Sequence, residues 1–347
     1  MKILITGGAG FLGYHLARFL DKQNASITLL DINDIDKKEY PGVTHITRGD
    51  IRDSYLMKEI TRGIDVVIHA AAALPLAPPQ EIHDVNVNGT RRVLRAALQN
   101  KVKRVIYISS TAVYGVPKIH PIDESAPLVG VGPYGESKIM AEKVCRKYRQ
   151  KGLNVTIIRP KTFIGTGRLG VFEILFDWVH DNKKIPMIGS GTNRYQLLEV
   201  EDLVQAIWKF CNAPAHSRYN DAFNIGADSF GMIRDDLEAF FAAVGSASHI
   251  MPIPAWLIKK PLQALEVLHL SPLYQWVYDT ADKDSFVSID KIQRTIDWKP
   301  RYSNAQALVR SYQWYQKHYS DIKAKGAGIT HTVGWKQGAL AIAKRFL

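Results

Sequence analysis

Cysteine is nearly absent from this chain: Cys145 and Cys211 are the only two in 347 residues. Two thiols exclude a disulfide framework and a cysteine-built metal site. Cys145 falls in a helical pattern and Cys211 near a helix end, so both read as ordinary buried or half-buried thiols. A reducing, cytoplasmic location and no metal are the expectations. Long apolar runs are missing as well. None approaches the roughly 20 residues needed to span a bilayer. The first apolar run starts at Lys2, so no signal peptide is expected. There is no internal repeat and no low-complexity stretch. Acidic residues are in deficit, with 33 Asp and Glu against 45 Lys and Arg, a net charge of +12. That balance favours anionic partners without choosing between nucleotides, nucleic acid and an acidic membrane surface.

Hydrophobic residues make up 46% of the chain, enough for a large core and for one big domain or two unequal ones. The most informative segment follows the run Lys2-Ile-Leu-Ile5. It reads Thr6-Gly-Gly-Ala-Gly-Phe-Leu-Gly13. A strand that feeds a glycine turn opening a helix is a cradle for a pyrophosphate. Gly7 permits the tight turn, Gly10 lets the backbone approach phosphate, and Gly13 lets helix and strand pack closely. The helix, 11–22, then points its N-terminal N–H groups and positive end at the anion. The next strand pattern, 26–31, ends in Asp31, eighteen residues after Gly13. A carboxylate there suits a ribose 2′-hydroxyl and repels a 2′-phosphate. The cofactor expected is therefore NAD, although Lys37 and Lys38 lie close by.

Apolar strand patterns at 2–6, 26–31, 43–48, 65–71, 104–110 and 154–159 alternate with helical ones, notably 80–100 and 134–151. Continuous apolar strands separated by helices predict a doubly wound parallel α/β sheet of Rossmann type. The expected NAD-binding unit is 1–160, with 200–227 returning to its sheet. A smaller, mostly helical substrate region follows over 161–320, with helices near 171–183, 200–212, 231–244, 255–269 and 304–319. A basic tail occupies 321–347.

Chemistry gathers after the fifth strand. Ser109-Ser-Thr-Ala-Val-Tyr-Gly115 is followed, nineteen residues after Gly115, by Tyr134-Gly-Glu-Ser-Lys138. Tyr134 and Lys138 lie four apart on one helix face. An ammonium near a phenol favours phenolate, which makes the tyrosine a usable acid or base near neutral pH. A serine at a strand end can hydrogen-bond the same substrate oxygen. These groups move a proton on an alcohol while a nicotinamide exchanges hydride with its carbon.

In these motifs, and in Gly49-Asp-Ile-Arg-Asp53, His69-Ala-Ala-Ala72, Asn86-Val-Asn-Gly-Thr90 and Arg159-Pro160, the chain resembles the extended short-chain dehydrogenase/reductase superfamily. The branch is the NAD-dependent epimerase/dehydratase family, and the resemblance runs to about residue 318. It implies Phe11 and Leu12 at the pyrophosphate, Asp50 and Ile51 beside adenine, and Ala70, Ala71 and Ala72 where backbone approaches the cofactor. It implies Ser110 as the catalytic Ser/Thr, with Thr111 assisting, and Tyr134 as acid/base. Lys138 would also hold the nicotinamide ribose. Asn86 matches a position near substrate, with helix capping or packing as its structural alternative. Glu124 matches a loop acid that supports the site. His69 reads as a satisfied strand-end histidine rather than a catalyst.

The substrate is read from Gly189-Ser-Gly-Thr-Asn-Arg194 and the residues after it. The matching arginine of nucleotide-sugar enzymes touches the diphosphate, a role that suits the guanidinium of Arg194. Thr162 stands where such epimerases usually carry Asn, and Thr280-Ala-Asp-Lys-Asp284 stands where a second arginine often lies. The leading expectation is an epimerase acting on a nucleotide-activated sugar through a transient keto intermediate. The alternatives are a dehydrogenase or reductase of a hydrophobic alcohol or ketone, similar to 3-beta-hydroxysteroid dehydrogenases, and a non-enzymatic protein that kept the fold. Thr111 and Ala112 occupy the places of a dehydratase acid pair, which argues against dehydration. No nucleic-acid partner is expected; a homodimer is.

From Lys323 to Leu347 there are five Lys or Arg and no Asp or Glu. Trp335, Ala339, Ile342, Ala343 and Phe346 share one helical face. This basic amphipathic pattern reads as a peripheral contact with the inner face of an anionic membrane, or as a terminal helix docked on the protein.

Overall fold

Lys2–Thr6 forms the first strand, β1, with all but its first residue buried. It feeds helix α1 (Phe11–Asp21), whose Leu16 and Leu20 are fully buried and contribute about 1.5–3 kcal/mol each. The chain continues through β2 (Ser26–Asp31), β3 (His45–Arg48), α2 (Ser54–Ile60), β4 (Val66–His69) and α3 (Pro79–His83). Next come α4 (Thr90–Gln99), β5 (Arg104–Ile108), α5 (Gly132–Gln150), β6 (Val155–Pro160), the short β7 (Phe163–Ile164) and α6 (Gly170–His180). The remaining elements are β8 (Ile185–Ile188), β9 (Leu198–Glu199), α7 (Val200–Cys211), β10 (Ala222–Ile225), α8 (Ile233–Ala243) and β11 (Ile250–Ile253). They end with α9 (Asp290–Ile296), α10 (Asn304–Lys317) and α11 (Tyr319–Lys325). This computed structural model describes residues 1–75, 77–167, 170–257, 260, 280–325 and 344.

The central sheet has seven strands in the order β10-β6-β5-β4-β1-β2-β3, all paired in parallel. Its inner strands are apolar on both faces because both faces are covered, whereas the edge strand β3 reads His-Ile-Thr-Arg and has no buried residue. Alternation along β1 sends Ile3 and Ile5 to one side, where Leu16 of α1 and Leu203, Ile207 and Phe210 of α7 meet them. Leu4 points to the other, against Met57 of α2, Val93 and Ala97 of α4 and Val144 of α5. The expected doubly wound sheet is the one observed. The segment 200–227 supplies both α7 and the edge strand β10.

A third core gathers Phe176 of α6, Phe240 of α8, and Tyr312 and Tyr315 of α10. The helix expected over 80–100 is not uniform: α3 passes through a π-helical turn at Asp84–Gly89 before α4 begins. Such a turn re-aims side chains within a helix, and Asn86 sits inside it. Cys145 and Cys211 are buried, and burial pushes both thiols up to about 12. Most of the helix expected at 255–269 lies outside the described residues. So does 335–347 apart from Lys344, whose ammonium pairs with Asp177 at 2.5 Å and Asp181 at 2.6 Å. Among the described residues no helix is long and apolar enough to cross a membrane.

Candidate active site

The carboxyl ends of a parallel sheet, where its strand order reverses, are where such folds bind ligands. Here that reversal lies between β1 and β4, and the glycine turn fills it. Gly7 has φ +76°, and a Cβ there would come within 2.8 Å of the Ala71 nitrogen. A Cβ on Gly13 would come within 2.3 Å of the Gly7 carbonyl oxygen. One on Gly10 would meet only that oxygen, at 3.2 Å. So Gly7 and Gly13 let helix, turn and strand approach, while Gly10 leaves the cleft open. Its residue is also the N-cap of α1, and no side chain caps the helix. The turn therefore fits an anion.

A cleft of about 590 Å³ opens on this turn. Gly7, Gly10, Phe11, Leu12, Gly13, Asp31, Asp50, Ile51, Ala70, Ala71, Ala72, Tyr134 and Lys138 all line it. The Asp31 carboxylate accepts from the Ala9 N–H at 3.0 Å and the Asn33 N–H at 2.9 Å, which fixes it at the rim. Asp50 is held by Arg52 at 2.6 Å. Burial works to raise the Asp50 carboxyl, and the bonds from Arg52 outweigh it, so the group sits below its ordinary range. Phe163 of β7 also lines the cleft and stacks on Phe11 with ring centroids 5.8 Å apart.

The same cleft is lined by Ser109, Tyr134 and Lys138. Lys138 is buried, donates to the Ile108 carbonyl at 2.9 Å, and places its ammonium 5.7 Å from the Tyr134 ring centre. Burial lowers its amino group to about 8, against the pull of Glu142. Ser110 does not line the cleft itself. It follows Ser109 in extended backbone, and its hydroxyl accepts from the Ala112 N–H at 3.1 Å. Thr111 donates to the Pro160 carbonyl at 3.3 Å. These bonds hold the Ser-bearing loop beside the end of β6.

Sequence reasoning passed over Glu142. It is fully buried, takes the Ser109 hydroxyl at 2.7 Å, and pairs with buried Arg159 at 2.6 and 2.9 Å. Arg159 in turn donates to the Tyr114 hydroxyl at 2.7 Å. This pair braces α5 against β5 and β6. The signal was present: Tyr134, Lys138 and Glu142 recur every four residues on one helix face.

The expected substrate residues are placed differently. Asn86 is 1% exposed, and its amide pairs with the Ala73 N–H and carbonyl and with the Ser137 hydroxyl. It anchors the segment after Ala72. The Thr162 hydroxyl meets the Tyr195 hydroxyl at 2.8 Å. The guanidinium of exposed Arg194 packs against both the Phe230 and Phe286 rings, 4.9 and 4.7 Å from their centres. Glu124 accepts from the Asn224 N–H at 2.7 Å, so it ties its loop to β10. His69 bridges the Thr6 and Thr90 hydroxyls at 2.8 and 2.9 Å, and burial lowers it to about 3. It is a neutral structural histidine. Among the described residues no group of three or more metal-ligating side chains comes together.

The chain is similar to known proteins. Residues 3–226 match the model of the NAD dependent epimerase/dehydratase family. An uncharacterized protein of Sinorhizobium fredii is 33% identical over 98% of this chain and 84% of its own length. A UDP-glucose 4-epimerase of Halalkalibacterium halodurans is 27% identical over 92% of this chain and 96% of its own. The crystal structure of a UDP-glucuronic acid 4-epimerase from Bacillus cereus in complex with NAD superimposes with a TM-score of 0.74. It is 21% identical, with 92% of this chain and all of that one covered.

Proposed function

Because the chain belongs to the NAD-dependent epimerase/dehydratase family, we propose that it inverts one carbon of a nucleotide-activated sugar through a transient keto intermediate. One observation carries this reading: Tyr134 and Lys138 line the same cleft as the glycine turn. Proton chemistry and dinucleotide binding therefore share one space. Gly7 to Gly13 would take the pyrophosphate, Asp31 the adenosine ribose, Asp50 and Ile51 the adenine, and Ala70 to Ala72 the cofactor's path across the sheet. NAD, when bound, supplies a hydride acceptor and donor. Tyr134 takes the proton from the sugar hydroxyl and later returns it. Ser110 donates its hydroxyl hydrogen to the same oxygen, since the bond it accepts from the Ala112 N–H leaves that hydrogen free. Lys138 stabilises the phenolate and holds the nicotinamide ribose. Arg194 meets the diphosphate, with Thr162 and Thr111 along the sugar and Asn86 fixing the segment below it.

The missing acid pair at Thr111 and Ala112 supports epimerisation over dehydration. The test is incubation of the purified protein with UDP- and GDP-sugars and no added cofactor. Conversion without net NADH is expected. Conversion of no sugar, with NADH consumed by a lipophilic ketone, overturns the reading.

The state of Lys138 sets a pH dependence. Its ammonium is the working form, so the rate falls as pH rises through about 8. Its stability effect has the opposite sign. An unfolded lysine titrates near 10.5, so between about 8 and 10.5 the unfolded chain binds more protons and this group's contribution to stability rises with pH. A rate–pH profile alongside denaturation midpoints separates the two. A flat rate to pH 10 contradicts the assignment.

The proposal includes a division into an NAD-binding unit, 1–160 with 200–227, a substrate region, 161–320, and the tail 321–347. It also includes a homodimer and cytoplasmic placement. The excess of cations over 323–347 supports contact with an anionic membrane. The pairing of Lys344 with Asp177 and Asp181 supports the tail docked on the protein.

A further inference from the structure

A second cleft, of about 500 Å³, opens at the β10 edge of the sheet, between α5 and α9. It shares no lining residue with the cofactor cleft. Five cationic side chains line it: Arg146, Arg149, Arg159, Lys291 and Arg294. Its three carboxylates are already engaged. Asp221 is held by Lys291 at 2.6 Å, Asp123 accepts the Ser125 N–H and hydroxyl, and Glu124 accepts the Asn224 N–H. Arg159 is spent on Glu142 at the base.

Three guanidinium groups are left over. Among the described residues, Arg146 reaches only the outer side of that same Glu142, at 3.4 Å. Arg294 is exposed, and its one hydrogen bond among the described residues goes to the Asp290 carbonyl. Arg149 donates from Nε to the Val155 carbonyl at 2.7 Å, and its Nη2, shielded behind the cleft wall, has no partner among the described residues. A buried N–H without an acceptor is destabilising, more so on a charged group. Planar guanidinium groups converging from two helices match the oxygens of phosphate.

We propose that this cleft binds a phosphate-bearing small molecule, with its phosphate held by Arg146, Arg149 and Arg294. The volume admits more than inorganic phosphate, and lies within the usual range for small-molecule pockets. This site is separate from the proposed sugar chemistry and stands if that chemistry is wrong.

The probe is inorganic pyrophosphate, titrated calorimetrically into full-length protein saturated with NAD, so that the dinucleotide cleft is filled. Saturable binding is expected. Arg294→Glu weakens it by about tenfold or more, as the loss of one charge-assisted contact implies. Arg294 is exposed, so this variant tests binding without opening the core. Arg149→Met does the same if it folds. Because Arg194 is itself proposed to meet a diphosphate, the comparison is repeated in an Arg194→Met background, where the Arg294-dependent binding remains. Binding to the Arg194→Met protein that survives the further change Arg294→Glu, or that is already gone with Arg194→Met alone, places the anion elsewhere and overturns the proposal. So does weak, unsaturable heat equal in all variants, which means an adventitious ion only.

Discussion

Replacing Tyr134 by Phe lowers the rate of sugar interconversion by about a hundred- to ten-thousand-fold, the usual scale of general acid–base catalysis. The variant removes one hydroxyl and keeps the ring that faces the Lys138 ammonium at 5.7 Å. The buried bond from Lys138 to the Ile108 carbonyl stays in place, and so do Gly7 to Gly13. NAD should therefore bind as in the wild type. Product formation and protein-bound NAD, measured on the same preparation, check both halves. Wild-type turnover in this variant removes Tyr134 from the mechanism.

Gly13→Ala should abolish NAD binding. The new Cβ would lie 2.3 Å from the Gly7 oxygen, 2.7 Å from the Gly8 oxygen and 2.8 Å from the Gly8 Cα. All three are backbone atoms, so no rotamer change relieves the clash. Helix α1 must move away from β1, and the phosphate turn opens with it. Overpacking of this kind costs about 1–3 kcal/mol. Here it strikes the segment that shapes the pyrophosphate cradle, so affinity falls further than stability. NAD titration and urea denaturation of the variant measure the two effects. Unchanged NAD affinity contradicts the role given to this glycine.

Much of this arrangement was legible before any coordinates. The strands at 2–6 and 26–31 lie where their apolar patterns put them, because continuous burial on both faces leaves an unambiguous signature. The glycine turn was legible because backbone approach at Gly7 and Gly13 admits no side chain. The π-helical turn at Asp84–Gly89 was not, since its periodicity differs from that of the flanking helix over only six residues. The surroundings of the expected substrate residues were hidden for a different reason. Arg194 packs against Phe230 and Phe286, 36 and 92 positions away, and Thr162 meets Tyr195, 33 positions away. Contacts of that range come from tertiary packing and leave no local pattern. Glu142 lies between the two cases: its place on the Tyr134–Lys138 face could be read, but its partner Arg159 could not.

The central claim is that one site removes hydride from a sugar carbon and returns it to the other face. The most direct measurement uses UDP-glucose carrying deuterium at C4, the carbon named in the similar epimerases, with no added cofactor. If another nucleotide sugar is the one converted, the label goes at its inverted carbon. The account predicts an epimer that keeps the deuterium at that carbon, with no net NADH. Inversion with the label lost to solvent, or label accumulating in released NADH, would contradict it.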